Sequence, residues 1–223
     1  MVGKYSETRQ SVFLSLLLIL LTSYLLRQAG CDITPNLMPT ARTVVHDPIP
    51  FHREPEQESI ELSTPIRKNV RGVEYLLEPL ATYKIFARVV SRKRYYLSDD
   101  VILSPVDLAL AWGSLTTPKA LDEVKYDHGQ RFLYYWPQSG TFITIDEIYL
   151  HTANVHIIPS NNRMETVAKN IRIGDIVVLE GYLVNVSTVG GFTWRTSLVR
   201  TDRAGGACEV LYLVRARVNE KQF

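Results

Sequence analysis

The run Ile176-Val-Val-Leu-Glu-Gly-Tyr-Leu-Val-Asn-Val186 constrains this chain more than any other stretch. It is too rich in β-branched residues to favour a helix, and it follows a turn at Ile173-Gly-Asp175. Val177, Leu179 and Leu183 share one face of an extended strand, and Gly181 interrupts the run. A glycine inside a strand marks a bulge or a tight barrel bend. A long strand that must bend belongs to a strongly curved sheet. The rest of the chain is therefore read for the strands that would complete it.

Several qualify. Within Glu78 to Arg94, Tyr83, Ile85, Ala87 and Val89 alternate with Lys84, Phe86, Arg88 and Val90. Arg131 to Trp136 and Thr141 to Leu150 read as a hairpin across Gln138-Ser-Gly140. Phe192 to Leu198 follows the Gly190-Gly191 turn, and Ala207 to Val218 forms a last strand. Helices are short. Ser104-Pro-Val-Asp107 reads as a helix start with Ser104 as cap, Pro105 at its first position and Asp107 reaching back. Thr117-Pro118 starts another, and Asn162 caps a third over Arg163 to Asn170. The expected fold is mainly β (β+α), a small OB-like barrel with short helices over residues 73–218. A helix between the third and fourth main strands and the Gly-Asp-x-Val-x-Leu-x-Gly rhythm of 174–181 resemble that fold. Residues 219–223 are a tail.

Ahead of this domain, Val12 to Leu26 carries no charge. Extended to Ser11–Ala29, it makes a helix of about 28 Å, close to the ~30 Å of a bilayer core. Lys4 and Arg9 precede it, which favours a cytoplasmic N-terminus and an exported body. Residues 1–31 are expected to be a signal anchor, holding the protein in an inner membrane with its domain in the periplasm. Two alternatives stay open. Ala29-Gly30-Cys31 resembles the end of a lipobox, which would make Cys31 a lipid anchor, although Gln28 and Arg27 depart from that pattern. Cleavage after Ala29 is the other. Six of the eleven prolines fall in residues 32–72, which reads as an extended Pro-rich tether.

Charge and cysteine content exclude several classes. The chain has 25 basic and 23 acidic residues, and Lys4, Arg9, Arg27 and Glu7 precede Cys31, which leaves 22 of each beyond it. A neutral domain offers no general attraction for nucleic acid, so nucleic acid is not an expected partner. Arg92-Lys-Arg94 beside Tyr95 and Tyr96 gives a local basic-aromatic stretch that could hold an anionic polymer. Two cysteines, Cys31 and Cys208, do not make a disulfide framework.

The densest chemistry lies in Ile148-Tyr-Leu-His151-Thr-Ala-Asn154-Val-His156-Ile-Ile-Pro159. The stretch reads as a strand end and connection leading to the capped helix. Candidate catalytic residues are His151, Asn154, His156, Cys208 and Glu209. His151 and His156 are the candidate zinc ligands, but a spacing of five places them apart on a strand or a helix alike. His128, in Asp127-His-Gly129, reads as a solvated turn residue. Cys208 alternates with Val210, Tyr212 and Val214, a pattern of burial, and a thiol nucleophile would need a nearby imidazole. Glu180 is expected to pair with Arg195 across a hairpin. The phosphate, dinucleotide, zincin and serine-hydrolase motifs are absent.

Ser104–Gly113, His151–Ser160, Ile173–Val184 and Arg200–Glu209 together resemble a family of bacterial hypothetical proteins with one N-terminal membrane segment. The resemblance covers about residues 80–214. It implies a bacterial envelope protein and brings no catalytic residue with it. The expected function is non-enzymatic binding of another envelope component, an envelope protein as partner. The alternative is a metal- or thiol-dependent hydrolase centred on His151, His156 and Cys208.

Overall fold

The computed structural model describes residues 53–61, 64–96, 103–199 and 208–223. The expected membrane segment at 11–29, the anchor alternatives at Ala29 and Cys31, and residues 32–52 of the tether lie outside them. Among the described residues no helix is long and apolar enough to cross a membrane.

The fold is mainly β. In chain order the elements are β1 (Glu56–Ser59), β2 (Ile66–Val70), β3 (Val73–Arg94), β4 (Val106–Ala111), α1 (Pro118–Glu123), β5 (Val124–Gly129), β6 (Phe132–Pro137) and α2 (Ile145–Leu150). They continue as β7 (Thr152–Pro159), α3 (Asn162–Asn170), β8 (Ile176–Thr188), β9 (Thr193–Trp194), β10 (Glu209–Val218) and β11 (Lys221–Gln222). In the main sheet β3 pairs with β4, β4 with β7, β7 with β10, β10 with β8, and β8 also with β3. The β7–β10 pairing is parallel and the other four are antiparallel. Strands β5 and β6 form a separate two-stranded ribbon.

β3 can serve two neighbours because it is 22 residues long and its register shifts twice, at Pro79/Ala81 against β8 and at Val89/Ser91 against β4. Bulges bend a strand and raise its twist, and a proline without an N–H is tolerated at one of them. Gly181 lies opposite a bulge, and it also permits a close approach. A Cβ there would sit 1.9 Å from the Tyr212 carbonyl oxygen, beside the β10 bulge between Leu213 and Arg215. Only a residue without a side chain lets β8 and β10 approach so closely.

One core collects inward side chains from all five main-sheet strands, including Ile85, Leu108, Ile157, Leu179 and Leu211. Met164, Val167, Ala168 and Ile171 from α3 and its end pack into it. Asn161 Oδ1 accepts from Met164 N at 3.0 Å, so the helix cap falls one residue before the expected Asn162.

Other expectations are corrected. Residues 106–111 are a strand, not the helix read from Ser104-Pro-Val-Asp107. All six residues of β4 are buried between β3 and β7. Cross-strand pairing and burial on both faces override the helix propensity of Leu and Ala. Residues 145–150 are helix α2, not a hairpin arm, and Thr144 caps it by accepting from Glu147 N. The hairpin is β5–β6, turning at Gln130 and Arg131 with φ of 52° and 70°. Two successive positive φ values match the twist of a tight hairpin turn. The tether expected through residue 72 carries β1 and β2 in its second half, and both pair with β3. The strand expected over 192–198 is regular only at Thr193–Trp194. Glu180 is bound by Arg215 at 2.6 Å and Lys84 at 3.3 Å rather than by Arg195. Burial alone would raise its pKa, but those two cations outweigh it and hold the carboxyl below its ordinary value. On β10, Val214 is exposed, so the apolar face assigned to Cys208 does not run the length of the strand.

Candidate functional site

The insertion between β4 and β7, residues 112–151, folds back over the face of the sheet opposite the main core. Alternation along β4 sends Leu108 and Leu110 into that core. It leaves Asp107, Ala109 and Ala111 on the other face. Ala111 packs there with Leu115, Ala120, Val124 and Ile148 of the insertion. The register sets Asp107 opposite His156, Ala109 opposite Asn154, and Ser91 opposite Ala109. The inward side of β5, Val124, Tyr126 and His128, closes over this polar row. Asp107, His128, Asn154, His156 and Ser91 are all buried.

A buried polar group must be satisfied, and the partners form two connected sets. In the first, Asp107 Oδ1 accepts from Arg131 Nη1 at 2.8 Å, and Oδ2 accepts from the Tyr95 hydroxyl at 2.8 Å. His156 Nδ1 also lies 2.8 Å from Asp107 Oδ1, but off the hydrogen-bonding direction. Arg131 Nη2 donates to the Ser104 carbonyl at 3.0 Å. The guanidinium lies 4.1 Å from the Tyr95 ring centroid and 5.4 Å from that of Trp194, whose ring is 4.7 Å from His156. Burial, with the Asp107 carboxylate beside it, pushes the Tyr95 hydroxyl well above its ordinary pKa, so it stays protonated and donates.

In the second set, Asn154 Nδ2 donates to the Arg131 carbonyl at 2.8 Å and to Cys208 Sγ at 3.2 Å. A carbonyl accepts only, which fixes the orientation of the amide. Asn154 Oδ1 must then accept from His128 Nε2, 3.1 Å away. Burial lowers the His128 pKa, against the Asn154 hydrogen bond and the Asp107 charge, which act to raise it. The ring is neutral with its proton on Nε2, so Nδ1 accepts from Ser91 Oγ at 3.0 Å. The chain Ser91–His128–Asn154–Arg131 thus has one consistent direction of donation.

Of the residues singled out in the sequence, Asn154, His156 and Cys208 come to this face and His151 does not. His151 ends α2, its ring lies 6.4 Å from that of Trp112, and its Nε2 is 3.8 Å from Glu54. His151 and His156 therefore engage different partners. Among the described residues no three His, Cys, Asp or Glu side chains converge as a metal site. Glu209 is buried at the start of β10, opposite Val155. Cys208 is not in a disulfide. The Asn154 amide stands between Cys208 and His128, bonded to both. A thiol nucleophile needs the imidazole in direct contact.

Sequence reasoning missed Asp107, His128, Arg131 and Tyr95. A carboxylate within the apolar run Val106–Ala111 was one available signal. The alternation Val124, Tyr126, His128 against Lys125, Asp127 was another. Comparison of the chain with protein-family models, with curated proteins and with solved structures finds no match.

Proposed function

We propose that the described domain is an OB-like barrel serving as a membrane-anchored, extracytoplasmic module that binds another envelope component without catalysing a reaction. The succession β3–β4–β7–β10–β8, with β8 returning to β3, the parallel pair β7–β10, and α3 between β7 and β8 support the barrel reading. In such barrels the outer face of the second and third strands, here β4 and β7, is where ligands are held.

One observation carries the functional reading. That face is occupied by the protein's own insertion, and its chemistry-bearing side chains are bound to one another. Asp107, His128 and Asn154 each hold two or more partners within the molecule. The insertion turns a different surface outward, the exposed side of β6 with Phe132, Tyr134 and Trp136. Large exposed aromatics in a row mark an interaction site.

The test is co-sedimentation of the full-length protein with washed, detergent-extracted cell envelopes. Wild type and Cys208→Ala are expected to sediment alike, and Tyr134→Ala/Trp136→Ala is expected to stay in the supernatant. Loss of binding with Cys208→Ala, or no effect of the double variant, would sink the reading.

A further inference from the structure

The outer side of the β5–β6 ribbon carries a row of aromatic side chains. β6 alternates strictly, with Leu133, Tyr135 and Pro137 turned inward and Phe132, Tyr134 and Trp136 turned out at 45%, 45% and 50% exposure. The Tyr134 and Trp136 rings are nearly parallel, 16° apart, with centroids 6.4 Å from each other. Gly129 on the facing strand makes room for the first of them. A Cβ there would meet Tyr134 Cε2 at 3.3 Å, so the ring extends over the neighbouring strand. The remaining outward positions of β5 are Lys125, opposite Trp136, and Asp127, opposite Tyr134. They supply one donor group and one acceptor group beside the rings, and their charges cancel.

Charge then selects among flat ligands. Residues 113–150 hold Lys119, Lys125 and Arg131 against Asp122, Glu123, Asp127, Asp146 and Glu147. Arg131 is turned inward onto Asp107. The insertion therefore offers no excess of positive charge, which disfavours nucleic acid and anionic lipid surfaces, both of which need a positive groove or patch. A peptide anchor needs a desolvated pocket, whereas Phe132, Tyr134 and Trp136 stand half-exposed on one side of the ribbon. An uncharged pyranose chain fits. Its C–H faces stack on aromatic rings, successive sugars meet successive rings, and hydroxyls at the edge bond to Lys125 and Asp127.

We propose that Phe132, Tyr134 and Trp136 form a stacking platform for an uncharged glycan chain, with Trp136 as its principal ring. This rests on the binding-module reading above and names its ligand class.

The probe is a linear β-1,4-linked N-acetylglucosamine hexamer, titrated into full-length detergent-solubilised protein by calorimetry and tryptophan fluorescence. Saturable, salt-insensitive binding is expected. Trp136→Ala should weaken it at least about tenfold, comparable to the loss of one stacking ring in other flat-ligand sites. Trp136→Phe should retain most of it. Unchanged thermal melting of both variants shows that the ribbon is still folded. Absence of saturable binding, or binding indifferent to Trp136→Ala, overturns the proposal. So does Trp136-dependent binding of a thymidine oligomer or a lysine-rich peptide in place of the sugar. Trp136-dependent self-association in sedimentation also overturns it, by making a second copy the occupant across the open β6 edge. If envelope binding depends on the ribbon while the hexamer does not bind, the glycan assignment fails and the binding-module reading stands.

Discussion

Asp107→Asn is the sharpest test of the buried polar layer. The substitution keeps the shape of the side chain and removes its charge. Asp107 is fully buried, while the Arg131 side chain keeps 17% of its surface accessible. Removing one member of a buried ion pair costs about 3–5 kcal/mol, because the other charge is left without compensation. Arg131 can recover part of that through its exposed edge and still donates to the Ser104 carbonyl. Asparagine can also still accept from either Tyr95 or Arg131. A loss of about 2–3 kcal/mol remains as the expected cost. With a urea dependence of about 2 kcal/mol/M for a domain of this size, the unfolding midpoint should fall by roughly 1–1.5 M. The assay is urea unfolding followed by tryptophan fluorescence at neutral pH, with equal slopes for both proteins as the check on two-state behaviour. The double variant Asp107→Leu/Arg131→Met removes both charges together and should cost less than Asp107→Leu alone. If Asp107→Asn changes stability by less than about 0.5 kcal/mol, a surface-like value, the buried pair does not hold the insertion as argued.

Three further outcomes follow from single positions. Gly181→Ala places a Cβ 1.9 Å from a backbone oxygen, so β8 and β10 must separate; the expected cost is about 3 kcal/mol or more, read as a lowered unfolding midpoint. Asn161→Ala removes the cap of α3 and should cost about 1 kcal/mol, seen as a melting temperature lower by roughly 2–4 °C. His128 has a folded pKa below its unfolded value of about 6.5, so below that pH the unfolded chain binds the proton and the native state resists it. Stability contributed at this position is therefore intact above about pH 6.5 and falls with pH down to the folded pKa, by at most ~1.4 kcal/mol per unit. Wild type should lose stability relative to His128→Gln between pH 7 and pH 5, and a pH-independent difference would remove the buried neutral imidazole from the account.

The strands that carry the core were legible where alternation was unbroken. Val177, Leu179 and Leu183 do face the core, and Gly181 does lie beside a bulge, though the close approach of β10 that requires a glycine there was not legible. Local capping chemistry was legible to within a residue at Asn161 and at Thr117, whose hydroxyl accepts from Ala120 N. β4 was not, because Ser-Pro-x-Asp is a helix start only when the residues after it are free to coil. Here neighbours on both sides pair with them. The site was the least legible part. Asn154 and Cys208 are 54 residues apart and meet through the parallel pairing of β7 with β10, which leaves no local signature. His128 looked like a turn residue because Asp-His-Gly resembles one. The actual turn is two residues later, at Gln130 and Arg131, which carry none of the usual turn residues.

The buried network and the exposed ribbon are parts of one device in the binding reading. A two-stranded ribbon alone is at best marginally stable in water, so something must hold β5–β6 in place. Its tip is held by Arg131, whose side chain is fixed to Asp107 and the Ser104 carbonyl and whose own carbonyl is fixed by Asn154. Just behind the tip it is held by His128, bonded to β3 through Ser91 and to β7 through Asn154. Its base is held by apolar contacts of Val124 with Ala111, Leu115 and Ile148. A platform that stacks ligands at a fixed ring spacing gains most from such anchoring, since rings that are already ordered lose less entropy on binding. The polar residues that first suggest catalysis are on this account positioning residues. Substituting His128 or Asn154 should loosen the ribbon and weaken ligand binding in proportion, whereas a catalytic role would abolish turnover and leave binding in place.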